Sequence, residues 1–157
     1  LIKPDQQAID WVADLYIEKM VQGVEEVFQQ LHSQGKEVHI ISSGLKQAIL
    51  PLAEKLQVDA DHVHAVEVVF ASNGDYLKFN QQSPLARNGG KAEVCAQLNE
   101  AGLKMAMIGD GNTDMEAKKA GAYCIGFGGV VARGIVREQA DVFVDSPDLQ
   151  AILPYLL

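Results

Sequence analysis

Met107-Ile-Gly-Asp-Gly-Asn-Thr-Asp-Met115 is the stretch on which the reading of this chain turns. An apolar run, Met105 to Ile108, stops at Gly109-Asp110-Gly111, and a helical pattern over Thr113 to Ala120, ended by Gly121, follows almost at once. Strand, tight turn and helix make the repeating unit of a parallel sheet, because parallel strands need a crossover long enough to bring the chain back. Glycines let the backbone bend sharply there. Asp110 and Asp114, four residues apart, gather negative charge suited to a hard cation with oxygen ligands. An ordinary turn with Asp114 early in a helix, where negative charge is favoured, would read similarly. Position directly after an apolar strand favours the site.

Downstream, the spacing predicts a strand over Ala122 to Gly126, a helix over Val130 to Gln139, a strand over Val142 to Val144 and a closing helix over Leu149 to Leu157. Upstream, Lys91 to Ala101 reads as a helix entered through Gly89-Gly90, after a polar stretch from Asn80. Val66, Val68 and Phe70 alternate with polar or small neighbours, Asn73-Gly74 gives a turn, and Tyr76 to Phe79 returns, which is a β-hairpin. Glu37-Val-His-Ile-Ile-Ser42 reads as a buried strand, with a helix from Leu45 to Leu56 that Pro51 should kink or divide. Two helical patterns precede it: Pro4 to Met20, and Val24 to about Gly35.

Repeated strand–loop–helix units imply an α/β fold, a Rossmann-like parallel sheet with helices on both faces, interrupted by the hairpin. In such sheets ligands bind outside the carboxyl ends of the strands. The residues after each strand are therefore expected to converge: Ser42-Ser43-Gly44, Gly109 to Asp114, and Gly126 to Gly129.

Composition narrows the function. Lys and Arg number 13 against 21 Asp and Glu, a formal net charge of −8, which argues against nonspecific nucleic-acid binding. No apolar run approaches the length of a membrane span, and no signal peptide is visible. Cys95 and Cys124 stand in apolar surroundings without a ligand partner at short spacing, and are expected to be buried hydrophobes of a reducing compartment. None of this excludes a small anionic substrate.

Two further signals bear on such a substrate. Ile41-Ser42-Ser43-Gly44 offers a hydroxyl at a strand end and N–H groups at a helix start, an oxyanion holder for phosphate, although helix capping by a serine is common. Gly89-Gly90-Lys91 offers an ammonium that can neutralise developing charge, although a single lysine is usually solvated.

The order strand–Ser, then Lys, then Gly-Asp-Gly-x-x-Asp resembles motifs two, three and four of the haloacid dehalogenase (HAD) superfamily. Ile-Ser-Ser-Gly-Leu45, Tyr76-Leu-Lys-Phe79, Gly-Gly-Lys91, Ile108 to Ala117 and Ile125-Gly-Phe-Gly-Gly129 with Arg133 look like its phosphoserine phosphatase branch, and the likeness covers essentially the whole chain. The resemblance implies a Mg²⁺-dependent phosphomonoester hydrolase of serine biosynthesis in the cytoplasm, acting on a small phosphorylated metabolite, O-phosphoserine, with no nucleic-acid or membrane partner. It implies that Asp110 ligates Mg²⁺ and that Asp114 orients the metal's water or Lys91. Ser42, Ser43, Gly44 and Lys91 would hold the phosphoryl oxygens, with Thr113 at the phosphate and Arg133 at the substrate.

One departure stands against this. The family's first motif, a strand followed by Asp-x-Asp, carries its nucleophile and general acid, and no counterpart is found. Asp59-Ala-Asp-His-Val63 matches the letters but follows an amphipathic helix. The resemblance therefore places Leu1 inside the family's cap region, so that residues 1–20 are a cap or linker helix and 21–157 a core lacking its first strand. Such a chain is expected to be inactive alone, and to dimerise or take up a complementing N-terminal segment. A noncatalytic phosphate- or metal-binding module, or a phosphatase for another small phosphoester, is the alternative.

Overall fold

The computed structural model describes residues 3–100 and 102–157. The chain divides into two compact units, Leu1–Met20 with Val38–Arg87, and Val21–Glu37 with Asn88–Leu157.

In the first unit, helix α1 (Gln6–Glu18) starts where Asp5 accepts a 2.8 Å hydrogen bond from the Ala8 amide, and its Ile9 and Ala13 are buried. A carboxylate at this position satisfies an otherwise orphaned donor and meets the positive end of the helix. Pro4 therefore precedes the cap instead of sitting in the first turn. Helix α1 packs on α3 (Lys46–Lys55), which buries Ala48, Ile49 and Ala53 and runs through Pro51 as one helix.

Strand β1 (Ile40–Leu45) pairs in parallel with β2 (Val63–Val66). Ile41 lies opposite His64 and Leu45 opposite Val66, so β1 advances four residues where β2 advances two. Ser42, Ser43 and Gly44 form the bulge that absorbs the excess. Bulges of this kind re-aim side chains, and they are common beside functional sites. The expected helix start at these residues is thus corrected: they belong to an irregular strand end, and the helix begins at Lys46. Val66 belongs to β2 and not to the hairpin.

The hairpin is β3 (Val68–Phe70) and β4 (Tyr76–Phe79), antiparallel, with Gly74 at φ +87° in its turn. Gln47 ties it to α3: its amide nitrogen donates to the Val68 carbonyl, and its amide oxygen accepts from the Val68 N–H at 3.2 Å.

The second unit carries a three-stranded parallel sheet, β5 (Ala106–Gly109), β6 (Tyr123–Phe127) and β7 (Val142–Val144), in that order. Its core is Val27 of α2 (Val24–Ser33) with Ile125, Phe127, Val144 and Ile152. Fully burying an aliphatic side chain contributes about 1.5–3 kcal/mol, so this cluster is a large part of the unit's stability. Helix α4 (Gly90–Leu98) enters from Gly89, whose φ is +80°. Its expected end at Ala101 lies outside the described residues, as does Leu1.

Three expectations need correction here. The helix over Thr113 to Ala120 is a single α-turn, α5 (Asn112–Met115), continued as a 3₁₀ segment over Glu116–Ala120. Residues 130–133 are not helical, and α6 spans Gly134–Gln139. The β-branched pair Val130-Val131 is a poor helix start. The closing segment Leu149–Tyr155 is a 3₁₀ helix.

Candidate active site

At the carboxyl end of β5 the chain turns through Gly109-Asp110-Gly111 into α5. Among the described residues Asp114 is the buried charged side chain, 6% exposed. Burying a carboxylate is costly unless each oxygen finds a partner. Both do. Oδ1 is 2.5 Å from the Lys91 ammonium, and Oδ2 accepts a 3.0 Å hydrogen bond from the Gly111 N–H. The side chain folds back over Gly109, where an added Cβ would lie 2.2 Å from the carboxyl carbon. The glycine before Asp110 is therefore a steric requirement of Asp114, beyond its role in the turn.

Lys91 stands in the first turn of α4, where the helix dipole disfavours a cation. Its charge is held there by Asp114, 23 residues later in the chain, with the ammonium only 17% exposed. Removing water while fixing an ammonium prepares it for an anion, since electrostatic attraction grows as the local dielectric falls.

Asp110 differs from Asp114. Its side chain is 43% exposed and faces Arg133 at 3.6 Å, longer than a hydrogen bond. Exposed pairs of this type contribute little, so the Asp110 carboxylate remains disposed toward a cation. Thr113 is exposed on α5. The structure thus brings Lys91 to Asp114 and Asp110 to Arg133 around one strand end. Gly126 pairs with Gly109 and so ends β6 beside it; Cβ atoms at Gly126 and Gly128 would meet the Phe143 ring at 2.9 and 2.7 Å, and at Gly129 the Ser146 carbonyl at 2.4 Å. Those glycines serve close packing.

In the first unit, Ser42 Oγ accepts a 3.0 Å hydrogen bond from the Gly44 N–H, and Ser43 is exposed on the same bulge. Neither serine caps α3, whose N-cap Leu45 has no side-chain bond.

The first unit also holds three half-buried histidines, which give no periodic signal in the sequence because each stands isolated. His39 Nδ1 lies 3.1 Å from His64 Nε2, and the His39 ring is centred 4.3 Å from that of His62. Burial first, then the charges of His39, Lys46 and His62, push His64 below its ordinary range. The cysteines behave as expected for buried hydrophobes. Desolvation pushes Cys95 up to about 11 and also raises Cys124.

A parallel α/β sheet thus carries, at the end of β5, a buried lysine–aspartate pair and a more open carboxylate. The chain belongs to the haloacid dehalogenase-like hydrolase family, whose model matches residues 3–119. It is 34% identical over 145 residues to the chloroplastic phosphoserine phosphatase of Arabidopsis thaliana, covering 90% of this chain and 49% of the relative. It is likewise 34% identical over 146 residues to the Homo sapiens phosphoserine phosphatase, covering 92% of this chain and 65% of the relative. The chain thus spans about half to two thirds of the length of these relatives. A phosphoserine phosphohydrolase-like protein of Francisella tularensis shares the fold with TM-score 0.83 at 22% identity, over 98% of this chain and 71% of that one. Among the described residues no helix is long and apolar enough to cross a membrane.

Proposed function

We propose that these residues belong to a Mg²⁺-dependent phosphoserine phosphatase, hydrolysing O-phosphoserine to serine and phosphate. The observation that carries the reading is the Lys91–Asp114 pair beside Asp110 at the end of β5. The similarity to phosphoserine phosphatases supports the substrate.

The donor set fits Mg²⁺. A hard cation takes one or two carboxylates and completes its shell with water and phosphate oxygens, and Asp110 is an exposed oxygen donor of that kind. When bound, Mg²⁺ supplies positive charge against the phosphoryl oxygens. Lys91 binds one of those oxygens and stabilises the charge that grows there as the ester bond breaks. Asp114 holds the ammonium in place by an ion pair and cannot itself move freely, because its second oxygen is engaged by the Gly111 N–H. Thr113 serves as a further donor to phosphate, and Arg133 pairs with the substrate carboxylate on leaving Asp110.

No described carboxylate fits the attacking group. Asp59 precedes and Asp61 lies within a 3₁₀ turn, Ala60–His62, that comes before strand β2, so both stand at the wrong end of a strand. The aspartyl-phosphate intermediate of this reading requires an Asp-x-Asp strand. The test is phosphate release from O-phosphoserine with Mg²⁺, measured for the 157 residues alone and joined to a segment bearing that strand. Turnover is expected only in the second. Robust turnover by the 157 residues alone would show that the nucleophile is already present among them. Retained Mg²⁺ and phosphate binding without turnover in both would turn the reading into a binding module.

A further inference from the structure

Of the four histidines in the chain, three lie within one unit around the first parallel strand pair, and the proposed hydrolysis uses none of them. His39 ends the segment entering β1, His62 closes the 3₁₀ turn before β2, and His64 sits in β2 opposite Ile41. Ahead of the bulge, Ile40 pairs with Val63 and Ile41 with His64, so the paired strand entries hold His39 and His62, each directly before its strand, near one another. That is the placement that gives a ligand set its precision.

The separations suit coordination. With bonds of about 2.0–2.1 Å, two nitrogens on one Zn²⁺ ion stand roughly 3.0–3.4 Å apart. His39 Nδ1 and His64 Nε2 are 3.1 Å apart, and one ligand atom each of His39, His62 and Glu37 lie within 4.8 Å of one another. The His39 and His64 rings are centred 5.3 Å apart and tilted by 31°. All three are half-buried, which limits competition from bulk water. Imidazole ligates metals in its neutral form. In the chain Asp61 directly precedes His62 and Glu37 precedes His39 by two residues, so carboxylates are at hand to offset the ion's charge. Lys46 also acts on His64, but it is paired with Glu67 at 3.7 Å.

We infer that His39, His62 and His64 form a binding site for a borderline-soft divalent ion, Zn²⁺ or Co²⁺ in class, distinct in chemistry from the hard-cation set at Asp110. Imidazole nitrogen suits such ions, whereas Mg²⁺ takes oxygen. Bound metal clips the entry of β1 to the entry of β2 and stabilises the strand pair, since a ligand that binds only the folded form shifts the folding equilibrium.

The experiment is titration of the EDTA-stripped, dialysed chain with Zn²⁺ and Co²⁺, followed by thermal unfolding, Co²⁺ visible absorption and ¹H–¹⁵N spectra of the histidine rings. Expected are one equivalent bound, a rise in Tm of about 4 °C or more, and shifts of the His39, His62 and His64 ring nitrogens with His32 unmoved. His39→Ala and His62→Ala should each weaken binding by at least about tenfold, while Asp110→Asn leaves it unchanged. The ring spectra of the unaltered chain decide the matter even if a substitution fails to fold. Absence of saturable binding, shifts confined to His32, or loss of binding in Asp110→Asn would overturn the inference.

Discussion

Lys91 and Asp114 exchange a 2.5 Å contact with the carboxylate 8% and the ammonium 17% exposed, so each charge depends on the other to remain where it is. Breaking such a pair leaves an uncompensated buried charge. Lys91→Met is therefore expected to cost about 3 kcal/mol, read as a lower urea midpoint, whereas Lys91→Met with Asp114→Leu recovers much of that loss. A second carboxylate sets a pH dependence. Asp141 accepts a 2.7 Å hydrogen bond from the Cys124 N–H and pairs with Lys118 at 2.9 Å; the first of these chiefly lowers its pKa below the model-peptide 3.8. With the folded value depressed, the unfolded chain binds the proton more readily, so this contribution is present above pH 3.8 and is lost as pH falls through the folded value. Urea midpoints from pH 5 downward should fall less steeply in Asp141→Asn than in the unaltered chain. Asp110 and Asp114 were both legible as a carboxylate pair in the sequence. Their division of labour was not, because it depends on which of them is covered and on a lysine 23 residues away.

The turn after β5 shows what an element adds. Gly109 reads in sequence as a bending residue, yet its missing side chain is the space into which Asp114 folds. Gly109→Ala should displace that carboxylate from both the Gly111 N–H and Lys91, lowering stability by about 3 kcal/mol in thermal denaturation. Gly35→Ala is the control: φ is +67° with nothing within 4 Å, so about 1 kcal/mol of backbone strain is the expected cost. Element existence was readable from apolar spacing in every β5–β7 unit and in the hairpin turn Asn73-Gly74. Element type failed where local pattern and geometry part ways. Thr113 to Ala120 has helical spacing but tightens to 3₁₀ after one turn, and Ser42 to Gly44 looks like a helix start but is a strand bulge. A bulge is the difference between two strands' advance, so one strand's letters cannot reveal it.

For the molecule as a whole, the net charge of −8 makes anion binding a local achievement that needs cations near the site. Mg²⁺ and inorganic phosphate added together should raise Tm more than the sum of the two added singly, because each neutralises charge the other must face. At one hundred times its dissociation constant a ligand stabilises by about 2.7 kcal/mol. Asp110→Asn is expected to lose the Mg²⁺ part of the shift and Lys91→Ala the phosphate part. Equal shifts in all three proteins would remove both residues from the site.

By itself the sequence determined the α/β class and the hairpin, and singled out the residues proposed to meet a phosphate and a cation, because strand and helix periodicities and glycine turns are written in neighbouring positions. Tertiary structure decided which carboxylate is buried and which is open, why the Gly126–Gly129 backbone serves packing, and that three scattered histidines meet. Each of those depends on contacts between residues distant in the chain, and no local pattern encodes them.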